Sequence, residues 1–137
     1  MTDHAGLIEH LNGLLAWELR AQNVYAHYAA YVKGILRLHL APYFTAESAE
    51  SVVHATQVRD AIAGLGGEAV RTPDPTPIVH TTDYNVMLVE ALKTEKHACA
   101  GYRTALEHVD PEHEMYDVLQ QIGFAEERAI LALEKLL

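Results

Sequence analysis

The residues of this chain best suited to chemistry stand in the middle of apolar helical stripes. The run AESAESVVHA, residues 46–55, holds Glu47, Glu50, Ser51 and His54. Steps of three and four residues stay on one face of a helix, so Glu47, Ser51, His54 and Val58 share a stripe that continues through Ala61, Ile62 and Leu65. Three other segments each carry one carboxylate in the same setting. Glu18 shares a stripe with Leu7, Leu11, Leu14, Leu15, Gln22, Tyr25, Ala29 and Val32. Glu95 stands among Leu88, Leu92, Cys99, Tyr102 and Leu106, and Glu126 among Met115, Leu119, Ile122, Ala129 or Ile130, and Leu133.

A polar group on a core-facing stripe needs a partner, because burying it without one is costly. Taken singly, each Glu is explained by partial exposure, an ion pair or protonation, and His54 by a hydrogen bond inside the core. Taken together, three carboxylates and an imidazole at matching depth, one per helix, place a charge of about −3 in one spot, at several kcal/mol per ion. A divalent cation offsets that charge and uses the same atoms as ligands. Mixed carboxylate and imidazole donors suit iron, manganese or zinc better than copper(I) or sulfur clusters. Glu18, His54, Glu95 and Glu126 are therefore the candidate metal ligands, with Glu47 and Glu50, each within a turn of Ser51 or His54, as possible substitutes. Tyr25 reads as a core tyrosine with a polar tip, placed to act beside a metal. Cys99 reads as a small buried hydrophobe.

The elements that must position these groups are helices. The first runs from about residue 4, with Asp3 as a cap, to residue 34 or beyond, spanning roughly 45 Å, with Glu9, Arg20 and Lys33 on its polar face. Pro42 is damaging inside a helix and allowed in its first turn, which predicts a second helix from about residue 41 to Leu65. Gly66-Gly67 ends it. Pro73, Pro75 and Pro77 make residues 66–82 an extended crossover, long enough to return the chain to the far end of a bundle with helices two and three parallel. Asp83 or Thr82 caps a third helix reaching about Val109. Asp110-Pro111-Glu112 predicts a fourth helix with Asp110 as N-cap and Pro111 at its first position. No alternating β pattern occurs. The expected fold is all-α: an up-down-down-up four-helix bundle in a single domain over residues 1–137.

Composition narrows the function classes. Nineteen acids against ten Lys plus Arg give a formal charge of −9, which opposes nucleic-acid binding and favours attraction of cations. No apolar run reaches membrane-spanning length, so no membrane partner is expected. The first residues carry no export signal, and the single cysteine excludes an intramolecular disulfide. These features predict a cytoplasmic protein. Among the remaining histidines (His4, His10, His27, His39, His80, His97, His108 and His113), no partner is evident and a surface position is expected.

Di-iron sites in helical bundles use a Glu on each of two helices and a Glu-x-x-His on each of the other two. Here His54 lacks its upstream Glu, the position being Ser51, and Glu126 lacks its downstream His, the position being Ala129. With that pattern in view, the sequence resembles the bacterioferritin branch of the ferritin-like family over nearly its whole length. LLAWELRAQNVYAHYA carries the family's ligand Glu as Glu18 and its buried Tyr as Tyr25, and ESAESVVHA carries the His ligand as His54. Glu95 and Glu126 fall at the third- and fourth-helix glutamates. The resemblance implies Fe(II) binding, ferroxidase-type oxidation by oxygen or peroxide, and iron storage, with one or two iron ions at a reduced site. It also implies a homo-oligomer, a dimer or a small cage, since no fifth helix follows Leu137. Val52 stands where the family's haem-binding Met would be, so no haem is expected. His27 and His39 have the twelve-residue spacing of the related starvation-protection miniferritins, but Thr56 and Asp60 stand where the partner acids would be. Ser51 and Ala129 favour a rival reading, a structural or assembly protein that has lost ferroxidase activity. A third reading is another di-metal oxidase of the same fold.

Overall fold

The computed structural model describes residues 4–137, and the expected cap Asp3 lies outside them. Four helices follow in order: α1 (Ala5–Tyr31), α2 (Arg37–Gly64), α3 (Tyr84–Leu106) and α4 (Glu114–Leu136). No strand occurs among the described residues. The direction of each helix follows from its contacts. Gly67, just past α2, packs against Ile8 near the start of α1, so α2 runs antiparallel to α1. Lys33 N donates to Thr82 O at 3.2 Å, placing the start of α3 beside the end of α1. His10 Nε2 lies 2.9 Å from Gly101 O, so α3 also descends, parallel to α2. With α4 returning, the topology is the expected up-down-down-up.

The apolar stripes pack as two clusters, one above the other. Leu11, Leu15, Val58, Ile62, Tyr102, Leu119 and Ile122 belong to the cluster at one end. Val24, Tyr25, Tyr28, Phe44, Met87, Leu88 and Leu133 belong to that at the other. On α1, Glu18 falls between Leu15 and Ala21, where one cluster gives way to the next.

Four helix boundaries differ from the sequence expectation, the third helix ending at Leu106 and not near Val109. The first helix stops at Tyr31, where Val32 turns extended and Arg37 Nη1 donates to the carbonyls of Ala29 (2.9 Å) and Val32 (3.0 Å). This side-chain cap satisfies acceptors a longer helix would have used. The second helix begins at Arg37, with Pro42 inside it. Pro42 lies in the second turn, close to the exposed Leu38, so the bond lost is near a water-facing end. The fourth helix begins at Glu114, because Asp110 Oδ1 accepts from Glu112 N (2.9 Å) in a separate turn, and His113 Nδ1 then accepts from Met115 N (3.0 Å) as the N-cap. Two other boundary signals hold: Asp83 caps α3 through Asn85 N, and Gly66 follows α2 at φ 80°, in the left-handed region that glycine adopts freely.

The crossover lies along α1 and is fastened to it at intervals of about one turn. Asn12 exchanges hydrogen bonds with Glu68 O (3.0 Å) and Val70 N (2.8 Å), and Asp74 N donates to Ala16 O (2.9 Å). Arg20 donates from Nε to Thr76 O (2.8 Å) and from Nη2 to Pro77 O (2.9 Å), with its guanidinium 4.6 Å over the Trp17 ring. Tyr28 OH donates to Val79 O (2.8 Å). Arg20, expected on a solvated face, is thus buried, because the crossover covers that face.

Two outcomes test this fastening. Arg20→Ala removes two charge-assisted, part-buried bonds to crossover carbonyls and should cost roughly 1–3 kcal/mol in chemical denaturation, with faster proteolysis near residues 72–80. Asp74 is held below its ordinary pKa: burial acts upward, but the Thr76 hydrogen bonds, then Arg20 and His97, outweigh it. A carboxylate with a lowered folded pKa adds stability above its unfolded pKa and loses it as pH falls through the folded value. Asp74→Asn should therefore flatten the acid limb of a stability-versus-pH curve, coinciding with the parent at low pH and falling below it toward neutral pH.

Candidate metal centre

Helical spacing brings three of the four expected ligands to one point. Ligand atoms of Glu18 (α1), His54 (α2) and Glu126 (α4) all lie within 4.8 Å of one another, and all three residues are buried. His54 Nδ1 is 3.2 Å from Glu18 Oε2 and 3.1 Å from Glu126 Oε1. It is sealed from solvent, yet it meets the alignment of a hydrogen bond with neither. His54 Nε2 faces Glu50 Oε1 at 3.5 Å, toward the surface. Donor atoms about 3 Å apart are what ligands at about 2.0–2.2 Å from a common ion require when they subtend near-right angles. The donor set, two carboxylates and an imidazole around a poorly satisfied nitrogen, therefore fits a divalent cation.

Glu95 on α3 is buried beside this trio but outside it, and Tyr25 OH donates to its Oε1. Glu95 lines a narrow cleft with Glu47, Glu50, Ser51, His54, Glu126 and Ala129. The cleft exists because Ser51 and Ala129 are short where a di-iron bundle would place Glu and His. Val52 is exposed and turned away from the site.

The electrostatics are those of crowded negative charge. Burial acts to lower the His54 pKa, but its pairing with Glu126 and Glu18 wins and holds it up at about 10. Burial raises Glu126 to about 7, with His54 opposing and Glu18 and Glu50 adding to it. Burial, then Glu50, lifts Glu47 to about 7 against the pull of His54. Tyr25 is pushed well above its usual value by burial and then by the carboxylates around it, Glu47 foremost. Both it and Tyr102, raised by burial and by Glu18, remain protonated donors at neutral pH.

Tyr102 is the site residue that stripe reading took only as core. Its OH donates to Glu18 Oε2 at 2.7 Å from a fully buried position. The signal was present, since Tyr102 stands two turns after Glu95 on the same stripe and a buried phenol needs an acceptor. The histidine expectation also needs correction: His27 and His80 pair with each other, His10 meets a backbone carbonyl and His113 caps α4. Cys99 is buried, as expected.

A ferritin-like domain model matches residues 8–137. The chain belongs to the ferritin-like family. A ferritin-like diiron-carboxylate protein from Bacillus anthracis superimposes with a TM-score of 0.92 at 30% identity, over 99% of this chain and 98% of that one. The bacterioferritin-related dodecameric thioferritin of Bacteroides fragilis gives 0.89 at 23% identity, over 98% and 85% of the two chains. Dps from Staphylococcus aureus gives 0.90 at 14% identity, over 99% and 97%. The last two likenesses speak to the fold alone. No curated protein sequence matches the chain. Among the described residues of this ferritin-like chain, no helix is long and apolar enough to cross a membrane.

Tyr102→Phe tests the hydrogen-bonded support of the centre. It keeps the ring and removes the donor to a buried carboxylate oxygen, which should cost about 1–3 kcal/mol in urea unfolding. A loss near zero would show that Glu18 finds another donor.

Proposed function

We propose that this single ferritin-like domain binds Fe(II) at Glu18, His54 and Glu126 and presents it for oxidation, in the manner of a bacterioferritin-type ferroxidase with a reduced ligand set. The observation that carries the reading is the buried convergence of those three side chains on a histidine nitrogen that lacks an aligned partner. Glu95 stands ready as a further carboxylate, and Glu47 and Glu50 line the cleft through which the site meets solvent. A second ion in that cleft would draw its ligands from Glu95, Glu126 and the two α2 glutamates in place of the absent Glu and His.

Iron is substrate here, giving up one electron to oxygen or peroxide. The chain's own residues have four tasks. Glu18 and Glu126 supply anionic oxygens that stabilise the higher charge of the oxidised ion. His54 loses its proton when a cation replaces it, so binding releases acid. Tyr102 fixes Glu18 by donating to Oε2, the oxygen that also faces His54. Tyr25 likewise donates to Glu95 and is close enough to the carboxylates to feel their charge. Cytoplasmic location and assembly into a homo-oligomer, at least a dimer and with a storage cage as the larger alternative, belong to the same proposal. The exposed Ile35 (80%), Leu38 (74%) and Leu131 (59%) suit burial between copies. A bacterioferritin-type haem is not part of it, Val52 being unable to ligate.

The rival reading, a structural ferritin-like protein without ferroxidase activity, rests on Ser51 and Ala129. Aerobic Fe(II) loading, desalting and elemental analysis separate the two. A large excess of iron per chain indicates a mineral-storing cage, and about one or two ions indicate a mononuclear or dinuclear centre. No retained iron sinks the proposal. Zn(II), as a redox-inert stand-in, should raise the melting temperature by several degrees, since a ligand at 100 times its Kd adds about 2.7 kcal/mol. Glu126→Gln should abolish most of that rise. If Glu126→Gln stabilises the protein and leaves its metal content unchanged, Glu126 is an unpaired carboxylate and not a ligand. A monomer by light scattering would contradict the assembly.

A further inference from the structure

A second pair of ligating side chains lies away from the bundle centre. His27, on α1, and His80, in the crossover, bring Nε2 and Nδ1 to 2.9 Å from each other. Their rings meet edge to face, with centroids 5.1 Å apart. Tyr31, one turn beyond His27, packs against both, at 4.6 Å from the His27 ring and 4.8 Å from that of His80. The backbone holds His80 on each side: Tyr28 OH grips Val79 O at 2.8 Å, and Lys33 N donates to Thr82 O at 3.2 Å. The two imidazoles are therefore held together by fold contacts that precede any ligand.

We infer that His27 and His80 form a surface site for a divalent transition-metal cation that prefers imidazole nitrogen, Cu(II) or Zn(II) rather than Fe(II). The 2.9 Å contact is a hydrogen bond between the two imidazoles, and a cation bound at about 2.0–2.1 Å to both nitrogens with a near-right angle would keep that separation while displacing the shared proton. A modest rotation of either ring opens the angle toward the tetrahedral value. Imidazole-only donation with open positions suits Cu(II) and Zn(II), and the order of affinities across the first row puts Cu(II) first. Among the described residues no third His, Cys, Asp or Glu joins the pair, so the remaining positions are open to water or to a ligand from another molecule. His80 is exposed, so a cation reaches the pair without opening the bundle. The acidic surface, at −9 overall, favours its approach. His27 lies nine residues beyond Glu18, roughly 13 Å along α1, so this site is separate from the buried centre.

The test is Cu(II) titration of the full chain followed by electron paramagnetic resonance. Alongside the parent, the variants His27→Gln, His80→Gln, His39→Gln and Glu126→Gln are measured. The expected result is a Cu(II) signal with hyperfine structure from two nitrogens, distinct from that of the single-imidazole bundle centre, in the parent and in His39→Gln and Glu126→Gln. His27→Gln and His80→Gln should each weaken it by more than the about tenfold that follows loss of an outer hydrogen-bond partner. Unchanged helical circular dichroism and unchanged Fe(II) retention in those two variants show that the fold and the bundle centre remain. Retention of the signal in either variant overturns the inference. An equal loss in His39→Gln also overturns it, by showing diffuse adsorption to surface histidines. Failure of iron binding in Glu126→Gln leaves this site untouched and bears only on the bundle centre.

Discussion

The constraint on which the rest of the structure depends is the burial of like charge. Glu18, Glu95 and Glu126 occupy the interior of a bundle, and among the described residues His54 is the buried imidazole beside them. Tyr102 donates to Glu18 and Tyr25 to Glu95, and His54 Nδ1 lies close to Glu126 without an aligned hydrogen bond. Such a layer destabilises a core unless a cation joins it, and replacing it with apolar residues would ordinarily be neutral or favourable. Its presence is better explained by what the layer holds than by any contribution it makes to folding.

Apolar packing on either side supports that layer. The cluster around Leu11, Leu15 and Ile122 and the cluster around Val24, Tyr28 and Phe44 bury the helices above and below the charged level. Stability therefore comes from the two ends, and the middle is free to be specialised. The crossover adds a third support by running along α1, the helix that carries Glu18. Its bonds to Asn12, Ala16, Arg20 and Tyr28 bracket Glu18 and keep α1 in register with the start of α3. Arg20 beside Trp17 is the strongest of these, because a guanidinium fork satisfies two carbonyls at once.

Much of this was legible in the sequence, for reasons that depend on the period of the helix. Glu18, His54 and Glu126 were found because a polar residue within a run of apolar steps of three and four has no surface to reach. The crossover was found because Pro73, Pro75 and Pro77 forbid a helix. What was not legible depended on contacts between segments distant in the chain. Arg20 looks solvated until the crossover is laid over it. Tyr102 looks like a hydrophobe until its phenol is set against Glu18, 84 residues away. The Asp110 signal was genuine but closed a turn, since His113 was a second cap that local propensity could not rank against it. The pairing of His27 with His80 joins a helix to an extended strap and leaves no mark at helical spacing.

Ser51 and Ala129 change the charge of the site as well as its ligand count. A full di-iron set has four carboxylates, suited to two divalent ions, with two neutral imidazoles. Removing one Glu and one His leaves three carboxylates and one imidazole, a charge better matched to a single divalent ion with one further proton. Without metal, the imidazole itself supplies part of the missing positive charge. Its pKa near 10, set by Glu126 and Glu18 against the effect of burial, means that the proton is held there at neutral pH. Glu126 and Glu47, both raised to about 7 by burial, are carboxylates readily neutralised when that is not enough. A cation bound at the His54 nitrogen would displace its proton. A second ion would have to bring its own compensation, and the negative groups able to give it are Glu95 at the base of the cleft and Glu47 and Glu50 at its mouth. With Ser51 and Ala129 short, Glu47, Glu50 and Glu95 line an acidic cleft beside the buried trio of Glu18, His54 and Glu126.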